Sequence, residues 1–204
     1  MKKKLDLIYK IIIMVVSGIS LYLNFQVFGL KEALVYFTVQ SNLICFIFYV
    51  IITLLYLTKK LKKNGIYYTF KGMVTMAMAI TMIVYQFFLS TGTSYDGHEF
   101  TCVLVHLIVP LLVVFDYIIF AEKGNLKKIY PYIWSLTLVF YLIFDVIYVA
   151  LGGRFNGTNT YPYFFLNIDK FGVTGVAVNC LIIYVIFILF GKLIQVIDTK
   201  IKEV

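Results

Sequence analysis

The chain has 204 residues, of which 62% are hydrophobic and only 14% are charged, and its formal net charge is +8. Soluble domains carry roughly 25% charged residues, so this composition excludes a water-solvated globular protein and also a disordered chain. A positive charge can indicate nucleic-acid binding, but that function needs a basic patch on a folded surface. Here the lysines stand between long apolar runs. The sequence therefore predicts an integral membrane protein that does not bind nucleic acid.

Six apolar stretches are long enough to cross the hydrocarbon core of a bilayer, which takes about 20 helical residues. The first stretch follows a run of three lysines, but it is longer than the apolar core of a secretory signal, so we interpret it as a retained helix. The sequence predicts an all-α fold in one domain, residues 1–204, with membrane-spanning helices at about 8–28, 34–58, 72–90, 102–121, 130–150 and 173–197.

Lysine and arginine are distributed unevenly between the two sets of predicted loops. Fifteen lie on the side that contains the N-terminus, whereas only Lys31, Arg154 and Lys170 lie on the other side. Because basic residues accumulate in cytoplasmic loops, we predict that both termini are cytoplasmic. The protein is then a multi-pass protein of the cytoplasmic (plasma) membrane, with outer connections at about 29–33, 91–101 and 151–172.

Polar side chains lie a few residues below the predicted outer end of every helix. In hydrocarbon such groups are costly unless they are partnered. Two explanations are open: the side chains hydrogen-bond neighbouring helices together, or they line a pocket that opens toward the outer leaflet. The members of this polar layer are Asn24, Thr38, Ser41, Asn42, Tyr85, Gln86, His106, Asp145 and Asn179.

Thr38 and His106 are the two residues of the polar layer whose side chains are suited to catalysis. A hydroxyl becomes an effective nucleophile when an adjacent base removes its proton, and a neutral imidazole is the usual base near pH 7. Asp145 could orient the imidazole through its second nitrogen, and the Asn42 amide, one turn after Thr38, could stabilise an oxyanion. The alternatives are a structural histidine and a threonine that bonds to its own helix.

Two further residues of the fourth predicted helix give local expectations. Pro110 lacks the N–H that would bond the His106 carbonyl, so we expect the helix to kink beside the histidine. Asp116 lies about 15 Å further along the helix than His106. We expect it to pair with lysines of the inner face rather than to orient the histidine.

Three segments resemble motifs of one family. Residues 36–43, YFTVQSNL, resemble the second-helix motif of the androgen-induced-protein superfamily and its bacterial six-span relatives. Residues 106–117, which begin HLIVP, resemble the family's histidine helix, and YPYFFL at 161–166 resembles its final outer-loop motif. The animal members are intramembrane hydrolases that cleave fatty acid esters of hydroxy fatty acids with a threonine and a histidine. The resemblance implies six spans, Thr38 as nucleophile and His106 as base.

The sequence leaves three functions open. The leading prediction is a lipid-ester hydrolase that takes its substrate from the bilayer, places an anionic head group near Lys31, Arg154 or Lys170, and needs no cofactor or metal. The second function is a non-catalytic lipid-binding or assembly protein that uses the same pocket. The third is a small-solute transporter, which is disfavoured because the sequence shows no inverted repeat and no polar path through the inner half.

Overall fold

Six long helices dominate the computed structural model, which describes residues 2–90 and 97–202. Each helix is long and apolar enough to cross a membrane, which makes the chain a multi-pass helical membrane protein. The predicted all-α fold with six membrane-length helices is confirmed. The helices are α1 Lys2–Phe28, α2 Phe37–Leu57, α3 Gly65–Leu89, α4 Glu99–Phe120, α5 Tyr130–Ala150 and α6 Ile168–Lys202.

Helices α1 and α3 begin well before the residues that the hydropathy pattern predicts. α1 starts at Lys2 rather than near residue 8, and the residues of its first turns are mostly polar. α3 starts at Gly65 rather than near residue 72. The Asn64 side chain caps α3 by accepting the Tyr67 N–H at 3.1 Å, and such a cap satisfies one of the first-turn donors. Polar residues beyond an apolar run are therefore helical here although they add nothing to its hydropathy.

The start of α2 differs from the prediction in the opposite direction. α2 begins at Phe37 rather than near residue 34, because Tyr36 is extended with φ −92° and ψ 139°. α6 begins at Ile168 rather than near residue 173, and Gly172, with φ 65°, interrupts its first turns. Most of the predicted outer connection at 91–101 lies outside the described residues, since the structure does not describe 91–96.

Helices α1–α4 belong to one compact unit, Met1–Asn125. In this unit α1 packs against α2 and α4, and α3 packs against the same two helices. A short helix, Leu30–Ala33, follows Gly29 at the end of α1 and leads to α2. This arrangement holds the first turn of α2 and the first half of α4 in one bundle, where the candidate site lies.

A buried ion network joins three helices of this unit. Asp116 of α4 pairs with Lys71 of α3 and with Lys10 of α1, whose Nζ lies 3.3 Å from Asp116 Oδ1. The Tyr49 hydroxyl donates to Asp116 at 2.9 Å, and Lys10 also pairs with Asp6 one turn earlier. Asp116 is fully buried and both lysines are 1% exposed. Two positive and two negative charges therefore compensate each other away from water.

This network bears on two sequence-based expectations. The expectation that Asp116 pairs with lysines is confirmed. The placement of Lys10 and Lys71 among the loop lysines is wrong, because both lie within helices and are buried. Only the remaining lysines of that side can contribute to the positive-inside argument, and the cytoplasmic location of the termini stays a prediction.

Helices α5 and α6 belong to the second unit, Leu126–Val204, and pack against each other. A Cβ atom on Gly191 would lie 3.1 Å from Cβ of Pro131, so a small residue lets the two helices approach closely. The segment between them is irregular. It contains a turn in which the N–H groups of Phe155 and Asn159 each donate to the other residue's carbonyl at 2.8 Å.

Candidate functional site

Thr38 and His106 contact each other in the Met1–Asn125 unit. Thr38 Oγ1 lies 3.4 Å from His106 Nε2, and the two residues are 9% and 8% exposed. Thr38 is the second residue of α2, whereas His106 lies in the first half of α4. The packing of these helices thus brings together a hydroxyl and an imidazole that are far apart in the sequence.

A contact of the second imidazole nitrogen, Nδ1, determines the tautomer of His106. His106 Nδ1 lies 3.0 Å from the carbonyl oxygen of Cys102, and 3.3 Å from the Cys102 sulfur. Since a backbone carbonyl can only accept a hydrogen bond, Nδ1 carries the proton. Nε2 is then the unprotonated nitrogen, and it faces the Thr38 hydroxyl. This is the arrangement that a general base requires.

The backbone of α4 departs from α-helical geometry around the histidine. Residues Leu104–Ile108 form a π-helical turn, in which the Val109 N–H donates to the Leu104 carbonyl. Pro110 follows this turn and has no N–H to donate, so the wider turn lies where one helical hydrogen bond is already missing. The structure thus shows a π-helical turn beside His106, whereas the kink expected there stays a prediction.

Tyr85 covers one face of the imidazole. Its ring is stacked on His106 with a centroid distance of 3.9 Å and an interplanar angle of 20°. The Tyr85 hydroxyl lies 3.1 Å from the Cys102 sulfur. Tyr85 begins a second π-helical turn, Tyr85–Leu89, at the end of α3. The stack and the Cys102 carbonyl together restrict the orientation of the histidine ring.

The position of Thr38 at the start of α2 adds electrostatic stabilisation. The N–H groups of Val39 and Gln40 donate to the Tyr36 carbonyl at 3.1 and 3.0 Å. Thr38 comes earlier in the first turn, so its own N–H has no helical carbonyl to bond. The aligned peptide dipoles also place partial positive charge at this helix end. Negative charge that develops near Thr38 is therefore favoured.

Asn42 has a structural rather than an electrophilic position. Its Nδ2 donates to the Thr38 carbonyl at 2.8 Å and to the Val105 carbonyl at 3.0 Å, and the residue is fully buried. Both amide protons are therefore occupied, so the expectation that this amide stabilises an oxyanion is wrong. The side chain instead connects the first turn of α2 to the π-helical turn of α4.

Two other members of the polar layer have different surroundings. The Ser41 hydroxyl donates to the Thr38 carbonyl at 2.9 Å and lies 3.0 Å from the Thr81 hydroxyl. It therefore connects α2 to α3 beside the site. The Gln86 side chain is exposed on α3, and its place in a pocket that opens toward the outer leaflet stays a prediction.

The α1 face of this unit carries two polar atoms that a ligand could satisfy. Asn24 Oδ1 and Ser20 Oγ are buried and have no hydrogen-bond partner within residues 2–90 and 97–202. α1 also packs against the π-helical turn that contains His106. Lys31, the head-group candidate of this unit, is exposed on the short helix that precedes α2.

Asp145 and Asn179 lie in the Leu126–Val204 unit. Asn179 donates to the Phe165 carbonyl at 3.0 Å, which ties α6 to the irregular segment. Asp145 is 5% exposed, and neither carboxylate oxygen has a hydrogen-bond partner in the described part of the chain. The hypothesis that Asp145 orients His106 concerns the second ring nitrogen, which lies beside the Cys102 carbonyl in the structure.

The remaining head-group candidates are also in this second unit and are both exposed. The Arg154 guanidinium donates to the Gly153 carbonyl at 2.7 Å. The Lys170 ammonium lies 5.2 Å from the centre of the Phe171 ring. Their role toward a substrate stays a prediction.

The sequence contains signals for some of the contacts that sequence reasoning missed. Cys102 is one helical turn before His106, so a carbonyl within reach of the ring could be expected from spacing alone. The stack with Tyr85 and the burial of Lys10 and Lys71 have no such local signal, because they depend on how the helices rotate against each other.

Comparison of the chain with protein-family models, with curated proteins and with solved structures found no match in any of the three. The resemblance to the androgen-induced-protein superfamily therefore rests only on the motifs at residues 36–43, 106–117 and 161–166.

Proposed function

We propose that this protein is an intramembrane hydrolase of lipid esters, with Thr38 as the nucleophile and His106 as the general base. The observation that carries the proposal is the 3.4 Å contact between the Thr38 hydroxyl and the unprotonated nitrogen of His106. A buried hydroxyl beside an oriented imidazole is the arrangement that activates a weak nucleophile. The motif resemblance supports the same two roles.

The first half of the reaction forms an acyl-enzyme. Thr38 Oγ1 attacks the ester carbonyl carbon while His106 Nε2 takes its proton. The tetrahedral intermediate then collapses, the bond to the leaving oxygen breaks, and His106 returns the proton to the leaving alkoxide. The products are a free alcohol and an acyl group on Thr38.

The start of α2 stabilises the negative charge of this intermediate. The backbone N–H of Thr38 and the positive end of the helix dipole lie next to the attacking oxygen. Donors of this kind act where the charge develops, and losing one typically lowers kcat by about 10²–10³-fold. In the second half of the reaction, His106 Nε2 takes a proton from a water molecule while the water oxygen bonds to the acyl carbon. The bond from that carbon to Thr38 Oγ1 then breaks, and His106 returns the proton to Thr38 Oγ1, which releases the fatty acid.

The substrate is a lipid ester that enters from the bilayer. Thr38 and His106 both lie in helices that are apolar enough to span a membrane, which favours a substrate that is itself dissolved in the bilayer. Lys31, just before α2, is a contact for an anionic head group. The resemblance favours fatty acid esters of hydroxy fatty acids and a bacterial six-span protein. The lysine distribution supports a site toward the outer leaflet of the plasma membrane.

The test is turnover of a fatty acid ester of hydroxystearic acid by the purified full chain in detergent. Thr38→Val keeps the β-branched shape but removes the hydroxyl, whereas Thr38→Ser is the matched control that keeps it. We expect Thr38→Val and His106→Gln each to lower kcat by about 10³-fold or more, while Thr38→Ser stays active. The double variant should be little worse than either single one.

Tm measurements show whether each variant folds. Turnover by folded Thr38→Val at the wild-type rate would contradict the nucleophile assignment. Binding of the ester by the wild-type protein without any turnover would contradict the hydrolase and would support the non-catalytic lipid-binding alternative.

A further inference from the structure

An open cavity of about 710 Å³ lies at the opposite end of the Met1–Asn125 unit from the first turn of α2. Its lining comes from the start of α1, from the end of α2 with the turn that follows, and from the end of α4. Pockets for small ligands and head groups are typically of this size. The residues of the Thr38–His106 site do not line it, so its function is a separate question.

Five charged side chains line this cavity, and two of them are carboxylates that already have partners. Asp6 pairs with Lys10, which is buried behind it. Glu122 accepts from Lys63 at 2.7 Å and from the Tyr68 hydroxyl at 3.2 Å. The Lys63 ammonium holds the pKa of Glu122 below its usual range, with partial burial opposing the shift. Both negative charges of the lining are thus compensated.

The two remaining charged residues of the lining are Lys3 and Lys59, and the charge of Lys3 acts on Glu122 only from a longer distance than Lys63 does. Both are exposed, and neither forms an ion pair with a carboxylate in the described parts of the chain. They come from different helices, since Lys3 is at the start of α1 and Lys59 follows α2. The Tyr56 hydroxyl donates to the Lys3 carbonyl at 2.8 Å, which fixes the two helix ends relative to each other. The cavity therefore has two positive charges available for a ligand.

The backbone of Lys59 is in the left-handed region, with φ 57°. The N–H groups of Lys60 and Leu61 both donate to the Leu55 carbonyl, at 2.8 and 2.9 Å, which closes the end of α2. Glycine is the preferred residue at such a helix end, because a side chain is strained in this conformation. Local stability thus disfavours lysine at this position, and residues held in such conformations often act in ligand binding.

We propose that this cavity binds a phosphate monoester group, with Lys3 and Lys59 as its cationic contacts. A phosphate monoester carries a charge of about −1.5 to −2 at pH 7, which balances the two lysines. A carboxylate or a phosphodiester carries only one negative charge. Basic pockets between helices at the surface of a membrane are also suited to lipid head groups. The phosphate can therefore come from a lipid or from a soluble molecule.

The test measures Tm of the purified full chain in neutral detergent with three probes. These are dioctanoyl phosphatidic acid, inorganic phosphate, and dioctanoyl phosphatidylcholine as a control that lacks net charge. We expect phosphatidic acid to raise Tm and phosphatidylcholine to have no effect. An equal effect of inorganic phosphate identifies the phosphate group alone as sufficient, whereas an effect of phosphatidic acid only identifies a lipid source. No stabilisation by either phosphate would overturn the proposal.

Variants at neighbouring lysines locate the site. Lys59→Gln should weaken the apparent affinity for phosphatidic acid about fivefold, which is the typical effect of one lysine near an anionic membrane surface. Lys60→Gln, in the same turn but outside the cavity lining, should leave the affinity unchanged. Lys59→Gly should raise Tm without ligand, because the strain is relieved, and should lower the Tm increase that the ligand causes. Equal losses in Lys59→Gln and Lys60→Gln would contradict binding in the cavity.

Discussion

The Nδ1 atom of His106 lies 3.0 Å from the carbonyl oxygen of Cys102, one turn earlier on the same helix. This contact gives the histidine its tautomer from the backbone, so no carboxylate is required to hold the ring. In many hydrolases an aspartate has this role. Here the orienting group is part of the helix that carries the base, and the unprotonated nitrogen faces Thr38.

The first prediction concerns Asp145, which the backbone contact makes dispensable for orienting the base. Asp145→Asn should leave turnover per folded molecule near the wild-type value. The substitution replaces a buried carboxylate by a neutral amide of the same shape, so Tm should not fall. Activity and thermal unfolding in detergent measure the two quantities. A large loss of kcat in a folded protein would show that Asp145 takes part in the reaction.

The second prediction separates the structural role of Asn42 from an oxyanion role. Asn42→Leu removes two hydrogen bonds and leaves the carbonyls of Thr38 and Val105 without this donor, which typically costs about 1–3 kcal/mol. Tm should fall clearly, while kcat of the folded protein falls less than about tenfold. Ser41→Ala, which removes a hydroxyl that also bonds the Thr38 carbonyl, is the matched control. A fall in kcat of about 10²–10³-fold with unchanged Tm would restore the oxyanion role.

The third prediction concerns the buried ion network. Asp116→Asn leaves Lys10 and Lys71 without their shared counter-ion, and breaking a buried pair typically costs about 3–5 kcal/mol. We expect a large fall in Tm or a failure to purify. Asp169→Asn makes the same chemical change at an exposed position and should leave Tm nearly unchanged. Similar Tm values for both variants would contradict a stabilising network.

The fourth prediction is the orientation in the membrane. In a variant without Cys45, Cys102 and Cys180, a cysteine at Thr158 should react with an impermeant maleimide added to intact cells. A cysteine at Lys62 should react only after the membrane is opened, because the lysine distribution places that loop in the cytoplasm. The reverse labelling pattern would move the proposed site to the inner leaflet.

The sequence predicts the helices of this protein better than their ends. Apolar runs of membrane length are visible without any tertiary information, and all six are helices. The ends depend on caps and backbone turns, such as Asn64 before α3 and the extended Tyr36 before α2. These features carry little hydropathy signal, which explains why Thr38 is predicted inside a helix but lies in its first turn.

The site is predicted only in part, for a physical reason. Thr38 and His106 stand out because a hydroxyl and an imidazole are unusual at that depth of an apolar helix. The partners of other residues depend on helix rotation, which cannot be deduced when nearly every face of a helix is apolar. That is why Lys71 is predicted in a loop although it is buried.

The most direct test of the central claim is labelling by a lipophilic fluorophosphonate, followed by mass spectrometry of the modified peptide. The reagent reacts with a hydroxyl that an adjacent base activates. The account predicts a single adduct on Thr38, absent in Thr38→Val and strongly reduced in His106→Gln. An adduct on Ser41 or another residue, or equal labelling of Thr38→Val, would contradict it.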